Sequence, residues 1–327
     1  MGDTAPQTGE LAVAGGEHIG ALLGAVEERL QLEAVGYGEP LQQYGEATIA
    51  AGGKRLRPLL MLLCAGPPSS QEQSDALVRA AAAIELIHSA TLVHDDVLDE
   101  ADLRRGQPTI VALAGRTAAV ATGDLLFAKA FALITQDGDP RTVELLSDAC
   151  SALARGELLQ RADGWNTQIT RERYFERCEL KTARLFEAAC AIATNVTGQP
   201  TLQLAPFGRA IGIAFQLLDD MLDVSGPSER TGKQRGTDLL DGTVTLPLII
   251  ARASDPEIAA VDLRSLDSAA VAESLCDRIA KSGALEETRA AALQLVSEAK
   301  LGLPAELDDR RRRALEMVAD NVVARYS

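Results

Sequence analysis

The chain has 327 residues, 46% of them hydrophobic and only 3% aromatic, with a single tryptophan. This is an ordinary globular composition, with material for a sizeable core. The net charge of -15 argues against a nucleic-acid partner, because a phosphate backbone needs a basic surface; it leaves room for a small phosphorylated ligand in a local basic pocket.

Residues 1–16 are small, polar and aperiodic and are expected to form a disordered tail, without the basic n-region of a signal peptide. Helical spacing then recurs almost everywhere, in segments rich in alanine and leucine, which favour helix. Breakers separate these segments at Gly52-Gly53, Gly66–Ser70, Asp137–Pro140, Gly198–Pro200 and Ser225–Pro227. Gln107-Pro108 and Asp139-Pro140 read as helix starts, with proline in the first turn. The expectation is one all-α domain over residues 17–327. No uninterrupted apolar run reaches the ~18 residues that cross a bilayer, so no transmembrane segment is expected. Cys64, Cys150, Cys178, Cys190 and Cys276 form no CxxC pair and read as reduced thiols of a cytoplasmic protein.

Along the chain, the first chemical feature is a glycine-led basic turn, Gly52-Gly53-Lys54-Arg55-Leu56-Arg57-Pro58. A helix from about Ser74 to Asp99 follows. Steps of three and four run through Leu77, Ala81, Ile84, His88, Thr91, Asp95 and Asp99, apolar below and acidic above. Asp95 and Asp99 are four apart and share a face, where their repulsion destabilises an isolated helix unless a cation is bound. Arg104-Arg105 lies just beyond. The charges from Arg171 to Arg177 read as a solvated surface, as does His18; His94 reads either as a partner of Asp95 or as a packing residue. Lys181-Thr182 sits within a helical segment.

A second helix, from about Leu202 to Val224, places Gly212, Gln216, Asp219 and Asp223 at the same spacing, with Asp220 beside them. Acidic residues at this end meet the negative pole of the helix dipole, so stability alone does not explain them. Gly232-Lys233 follows. One such cluster by itself reads as a solvated face. Two, each closing an apolar helix and both without His or Cys, point to hard oxygen ligands for Mg²⁺, which keeps waters and shares phosphate oxygens. Neither has the alternating spacing and central glycine of a calcium loop.

These segments resemble the trans-isoprenyl diphosphate synthases, or polyprenyl synthetases. The resemblance is carried, in family order, by GGKRLRP (52–58), IELIHSATLVHDDVLDEADLRRGQPT (84–109), GDLLFAKAF (123–131), KTARLF (181–186), FQLLDDMLD (215–223) and GKQRGTDLLDGTVTLP (232–247). It implies an isoprenoid synthase fold: a single large helical bundle around a deep central cavity, usually in a homodimer. By matching position, Asp95, Asp96, Asp99, Asp219, Asp220 and Asp223 would hold three Mg²⁺ on an allylic diphosphate. Arg104, Lys181 and Lys233 would contact that diphosphate, with Thr182 and Gln216 lining the reacting region. Lys54, Arg57, His88 and Arg105 would bind isopentenyl diphosphate.

One departure is visible. Where the family often has Gly-Lys-x-Thr before Leu-Pro, this chain reads Gly242-Thr243-Val244-Thr245, so a cation near the allylic site is missing. The implied reaction is a head-to-tail 1'-4 condensation giving a trans-polyprenyl diphosphate. Ala90 and Thr91 below Asp95 are small, where bulky aromatics go with short products in the family, so the expected product is C20 or longer, its floor set deeper by Phe127 or Phe131. Its lipid product would bring the enzyme to a membrane surface. A class I terpene cyclase and a non-catalytic subunit of a heteromeric synthase are the alternatives; low aromatic content and the second aspartate cluster oppose the first, and two intact clusters oppose the second.

Overall fold

The computed structural model describes residues 5–104, 106–199, 202–226 and 235–324, and almost all its regular structure is helical. The helices that bear on the site are α1 (Ala5–Gly15), α2 (Glu17–Ala34), α3 (Leu41–Ala50), α4 (Leu56–Ala65), α5 (Gln71–Leu98), α6 (Ile110–Ile134), α7 (Pro140–Ala162), α8 (Arg171–Cys178), α9 (Arg184–Val196) and α10 (Ala205–Ser225). The chain forms two compact units, neither of them continuous. One comprises residues 1–150, 185–208 and 302–318; the other comprises 151–184, 209–301 and 319–327.

In the first unit, α5 is the central element. Ser70 caps it by accepting a hydrogen bond from Gln73 N, which satisfies one of the amides left open at a helix start. Its middle, from Ala80 to Ile87, is buried throughout, including Glu85. The residues Leu59–Leu63 of α4 are all at most 1% exposed, and each such burial contributes roughly 1.5–3 kcal/mol. α6 packs along α5. Gly123 makes this possible, since a Cβ there would lie 2.2 Å from His94 Nε2.

Three sequence expectations are corrected here. The opening residues are not a loose tail over their whole length: Ala5–Gly15 is helical, and Leu11 and Ala12 are buried. Gln107-Pro108 is not a helix start but the second strand of a two-residue ribbon, paired with Leu103-Arg104. α6 begins two residues later, where the Thr109 hydroxyl accepts from Ala112 N. His18 is only half exposed, and its Nε2 is sealed without a hydrogen-bond partner.

All five cysteines are free; four are buried and Cys150 is partly so. α5 and the stretch Ile110–Asp137 are long and apolar enough to cross a membrane, but 72% of the α5 window is buried within the protein, against 39% for the other. Among the large apolar side chains left exposed on α6 are Leu113 and Val120.

In the second unit, α8 starts at the Thr170 cap and leads directly into one π-helical turn, Glu179–Ala183, which carries Lys181 and Thr182. Single π turns inside α-helices recur at functional sites. Gly156 of α7 accommodates this one: a Cβ there would be 2.5 Å from Lys181 N.

Candidate active site

In the first unit, α5 delivers the first aspartate cluster at its C-terminal end. The three carboxylates divide by environment. Asp95 is half-buried and Asp99 is exposed, whereas Asp96 is 6% exposed. Asp96 Oδ1 accepts a 2.6 Å hydrogen bond from Arg104 Nε. The two basic-site residues that precede α5 also differ. Arg55 sits in the left-handed region at φ 45° and is clamped: Nε and Nη2 donate to Glu27 at 2.5 and 3.1 Å, Nη1 to Glu85 at 2.9 Å, and Nη2 to Ile49 O. Arg57 has no such clamp. Its guanidinium lies 4.4 Å over the Phe186 ring, and its Nε is buried without a partner. Burial pulls it down to about 10 against the attraction of Glu85, so it is a cation at neutral pH.

A cavity of about 440 Å³ opens beside Asp96 and Arg104. Glu85, His88, Asp96 and Arg104 are among its polar lining residues, with Gly52 at the basic turn, and its walls are mostly apolar. Further down α5, Ala90 is fully buried, and Thr91 is half-buried with its hydroxyl donating to His88 O. His94 stacks on Phe127 of α6, with ring centroids 5.8 Å apart; Phe127 and Phe131 are both half-buried.

In the second unit, α10 carries Asp219 exposed, Asp223 half-buried and Asp220 only 5% exposed. The middle aspartate is again the buried one. Tyr174 OH donates to Asp220 Oδ2 at 2.5 Å, Gln216 Nε2 donates to Oδ1 at 2.7 Å, and Thr182 Oγ1 donates to Gln216 Oε1 at 2.6 Å. A polar chain thus joins the π turn to the aspartate cluster. Burial pushes the Asp220 carboxyl up to about 6, although hydrogen bonds from Tyr174 and Gln216 and the charge of Arg177 pull the other way. Lys181 Nζ is paired with Glu157. Burial alone would raise Glu157, but the charges of Lys181 and Arg161 outweigh it and hold the carboxyl below its usual range. Asp223 Oδ2 accepts from Asp238 N.

The donor set suits a hard divalent cation: every candidate ligand is a carboxylate oxygen. Among the described residues no three or more His, Cys, Asp or Glu gather closely enough to hold an ion by themselves. Arg105 and Lys233 lie outside the described residues.

Sequence reasoning passed over Glu85, Glu157, Tyr174 and Arg177. Arg177 corrects an expectation, because it is 4% exposed rather than solvated. The available signals were a lone glutamate in the apolar run of α5 and the i, i+3 spacing of Tyr174 and Arg177 on α8. Nothing in the sequence marks Glu157.

The Polyprenyl synthetase family matches residues 39–279. The octaprenyl diphosphate synthase of Escherichia coli is 37% identical over 292 residues, covering 87% of this chain and 90% of that protein. Component 2 of the heptaprenyl diphosphate synthase of Geobacillus stearothermophilus is 39% identical over 242 residues, 73% of this chain and 75% of that one. Among solved structures, the polyprenyl synthase of Caulobacter crescentus, complexed with calcium and isoprenyl diphosphate, superposes with a TM-score of 0.86 at 32% identity, covering 100% of this chain and 99% of that one.

Proposed function

Because the chain belongs to the polyprenyl synthetase family, we propose that it is a prenyltransferase that adds isopentenyl diphosphate to an allylic diphosphate, head to tail, to give a trans-polyprenyl diphosphate of C20 or longer. The observation that carries this reading is the repeated design of the aspartate clusters. Each ends an apolar helix with one buried, hydrogen-bonded aspartate and two more accessible ones.

Asp95, Asp96, Asp99, Asp219, Asp220 and Asp223 hold Mg²⁺ on the allylic diphosphate, three ions by the family pattern. Bound there, the metal stabilises the negative charge of the departing diphosphate. Asp96 and Asp220 act with one face on their protein partners, so they fix the direction of their clusters as well as adding charge. Lys181, oriented by Glu157, and Arg104, oriented by Asp96, meet the same leaving group, together with Lys233; fixed donors aimed at developing charge are the strongest source of rate. Thr182 and Gln216 line the reacting region.

Lys54, Arg57, His88 and Arg105 bind the diphosphate of isopentenyl diphosphate. The unpartnered Nε of Arg57 supports its role as an anion ligand, since a buried donor costs free energy until something accepts from it. The allylic C–O bond breaks with its electron pair leaving on the diphosphate. The alkene of isopentenyl diphosphate then attacks C1, and a proton leaves to the released diphosphate. Holding the two substrates together removes the entropy of their encounter, and apolar walls keep water from the cation.

Ala90 and Thr91 leave room for a long product, with Phe127 and Phe131 as the deeper stop. The partly uncovered apolar face of α6 supports a homodimer, and the name of the Geobacillus relative makes a different subunit the alternative occupant. The five free cysteines support a cytoplasmic enzyme that meets the membrane through its product.

The test is incubation with farnesyl diphosphate, with and without labelled isopentenyl diphosphate. A product that forms only when both are present supports the synthase. A hydrocarbon released from farnesyl diphosphate alone identifies a cyclase.

A further inference from the structure

The two buried middle aspartates are held by different kinds of partner. In the second unit, Asp220 takes its hydrogen bonds from Tyr174 and Gln216, both uncharged. In the first unit, Asp96 takes one from a cation: Arg104 Nε donates to its Oδ1 at 2.6 Å. The Arg104 and Asp96 side chains are 25% and 8% exposed, so the pair is mostly removed from water and holds more firmly than a surface ion pair. An uncharged donor can stay in place while a carboxylate serves a metal ion. A guanidinium cannot share one carboxylate oxygen with a divalent cation without strong repulsion.

Arg104 also lies on a segment that is anchored at its ends and not at its tip. Ala101 N donates to Asp96 O at 3.0 Å, and Thr109 N donates to Asp102 O at 3.0 Å. Thr109 Oγ1 donates to Ala101 O at 2.5 Å. These bonds tie both ends of the segment 101–109 to the end of α5 and to the cap of α6. Between them stands the two-residue ribbon, in which Arg104 pairs with Gln107 and Leu103 with Pro108. Leu103 is 61% exposed. Arg104, Asp96, Gln107 and Pro108 all line the cavity of about 440 Å³, so a guanidinium that leaves Asp96 remains beside that space, available to an anion.

We propose that the Arg104–Asp96 pair is an autoinhibitory latch on the first aspartate cluster. In this arrangement the guanidinium holds a carboxylate oxygen that a metal ion would otherwise take. When diphosphate arrives with the ion, the Arg104 donors pass from Asp96 to phosphate oxygens, which accept them as well as a carboxylate does. Each ligand alone meets resistance: free Mg²⁺ meets a blocked aspartate, and free diphosphate meets an arginine already paired. The inference rests on the synthase reading, because it takes the cluster as a site for Mg²⁺ and diphosphate.

The test uses the full chain and needs no turnover. Tm is followed over a titration with MgCl₂ alone, and over a titration with inorganic diphosphate at fixed Mg²⁺, for wild type and Arg104→Gln. Removing the latch is expected to lower the Mg²⁺ midpoint about tenfold and to raise the diphosphate midpoint about tenfold. A purely structural role weakens both responses, and a diphosphate contact without a latch leaves the Mg²⁺ response as in wild type. Hydrogen exchange at the ribbon amides separates release of the latch from the mere loss of a nearby positive charge. In wild type, exchange at Arg104 and Gln107 is expected to quicken when saturating Mg²⁺ is added alone and to slow again with diphosphate; in Arg104→Gln it is fast before Mg²⁺ is added. An Mg²⁺ response in the variant no stronger than in wild type, or wild-type ribbon exchange that Mg²⁺ leaves unchanged, overturns the proposal. The wild-type exchange result decides by itself where the variant does not fold. A wild-type chain that incorporates no isopentenyl diphosphate counts against the synthase reading, while the Mg²⁺ titration and the exchange still decide the latch.

Discussion

The hydroxyl of Tyr174 donates a 2.5 Å hydrogen bond to Oδ2 of Asp220, 46 residues away in sequence, and both residues are buried. A helix with no metal-binding motif of its own thus sets the direction of the middle aspartate on α10.

Tyr174→Phe keeps the ring and its packing and removes only this donor. A hydrogen bond to a charged group is worth about 1.5–3 kcal/mol. The variant is predicted to lose roughly tenfold or more in kcat and to need more Mg²⁺ for half-maximal rate. Steady-state rates over a Mg²⁺ titration check this, and unchanged Mg²⁺ dependence counts against a positioning role.

The raised Asp220 carboxyl makes a prediction for the metal-free protein. Its folded value is about 6, whereas an unfolded aspartate titrates near ~4. The stability that comes from holding the proton is present below that unfolded value and is lost as pH rises through about 6. Asp220→Asn never ionises. In EDTA its free energy of unfolding is predicted to exceed that of wild type by a margin that grows from pH 4 to 6 and then levels at roughly 2–3 kcal/mol. A margin that shrinks over this window contradicts the account.

Arg55 and Arg57 lie two residues apart and are predicted to fail differently. Arg55 is 11% exposed at its side chain and bound to Glu85, which is 4% exposed. Arg55→Leu strands that carboxylate and is predicted to cost about 3–5 kcal/mol of stability. Arg57 carries a buried Nε with no partner, so Arg57→Leu is predicted to keep Tm within a few degrees and to raise KM for isopentenyl diphosphate. Thermal melts and substrate titrations separate the two. Equal losses of stability sink the distinction.

Product length is predicted to respond to α5 rather than to the aspartates. Ala90→Phe or Thr91→Phe adds bulk on the helix below Asp95, and chromatography of the products is predicted to show shorter chains. Unchanged length places the floor of the cavity elsewhere.

The helical fold and both aspartate clusters could be read from the sequence because they follow from local spacing. A 3.6-residue period and i, i+4 carboxylates are properties of one segment, and α5 and α10 appear within a few residues of where they are expected. What escaped notice depends on pairing between distant segments. Arg177 lies on a charge-rich stretch that reads as surface, yet it is buried, and its Nη2 donates to Val244 O, 67 residues away. Glu157 looks like any other surface glutamate until Lys181 is placed beside it. The ribbon at Gln107-Pro108 was missed because proline at a helix start and proline at a sheet edge give the same local signal.

The most direct measurement of the central claim is incorporation of labelled isopentenyl diphosphate onto an allylic primer by the purified chain, across a Mg²⁺ titration, for wild type, Asp95→Asn and Asp219→Asn. The account predicts Mg²⁺-dependent chain extension by wild type, abolished by EDTA, and losses of at least about a hundredfold in each variant with Tm nearly unchanged. Extension that persists in EDTA, or at wild-type rate in either folded variant, would contradict it.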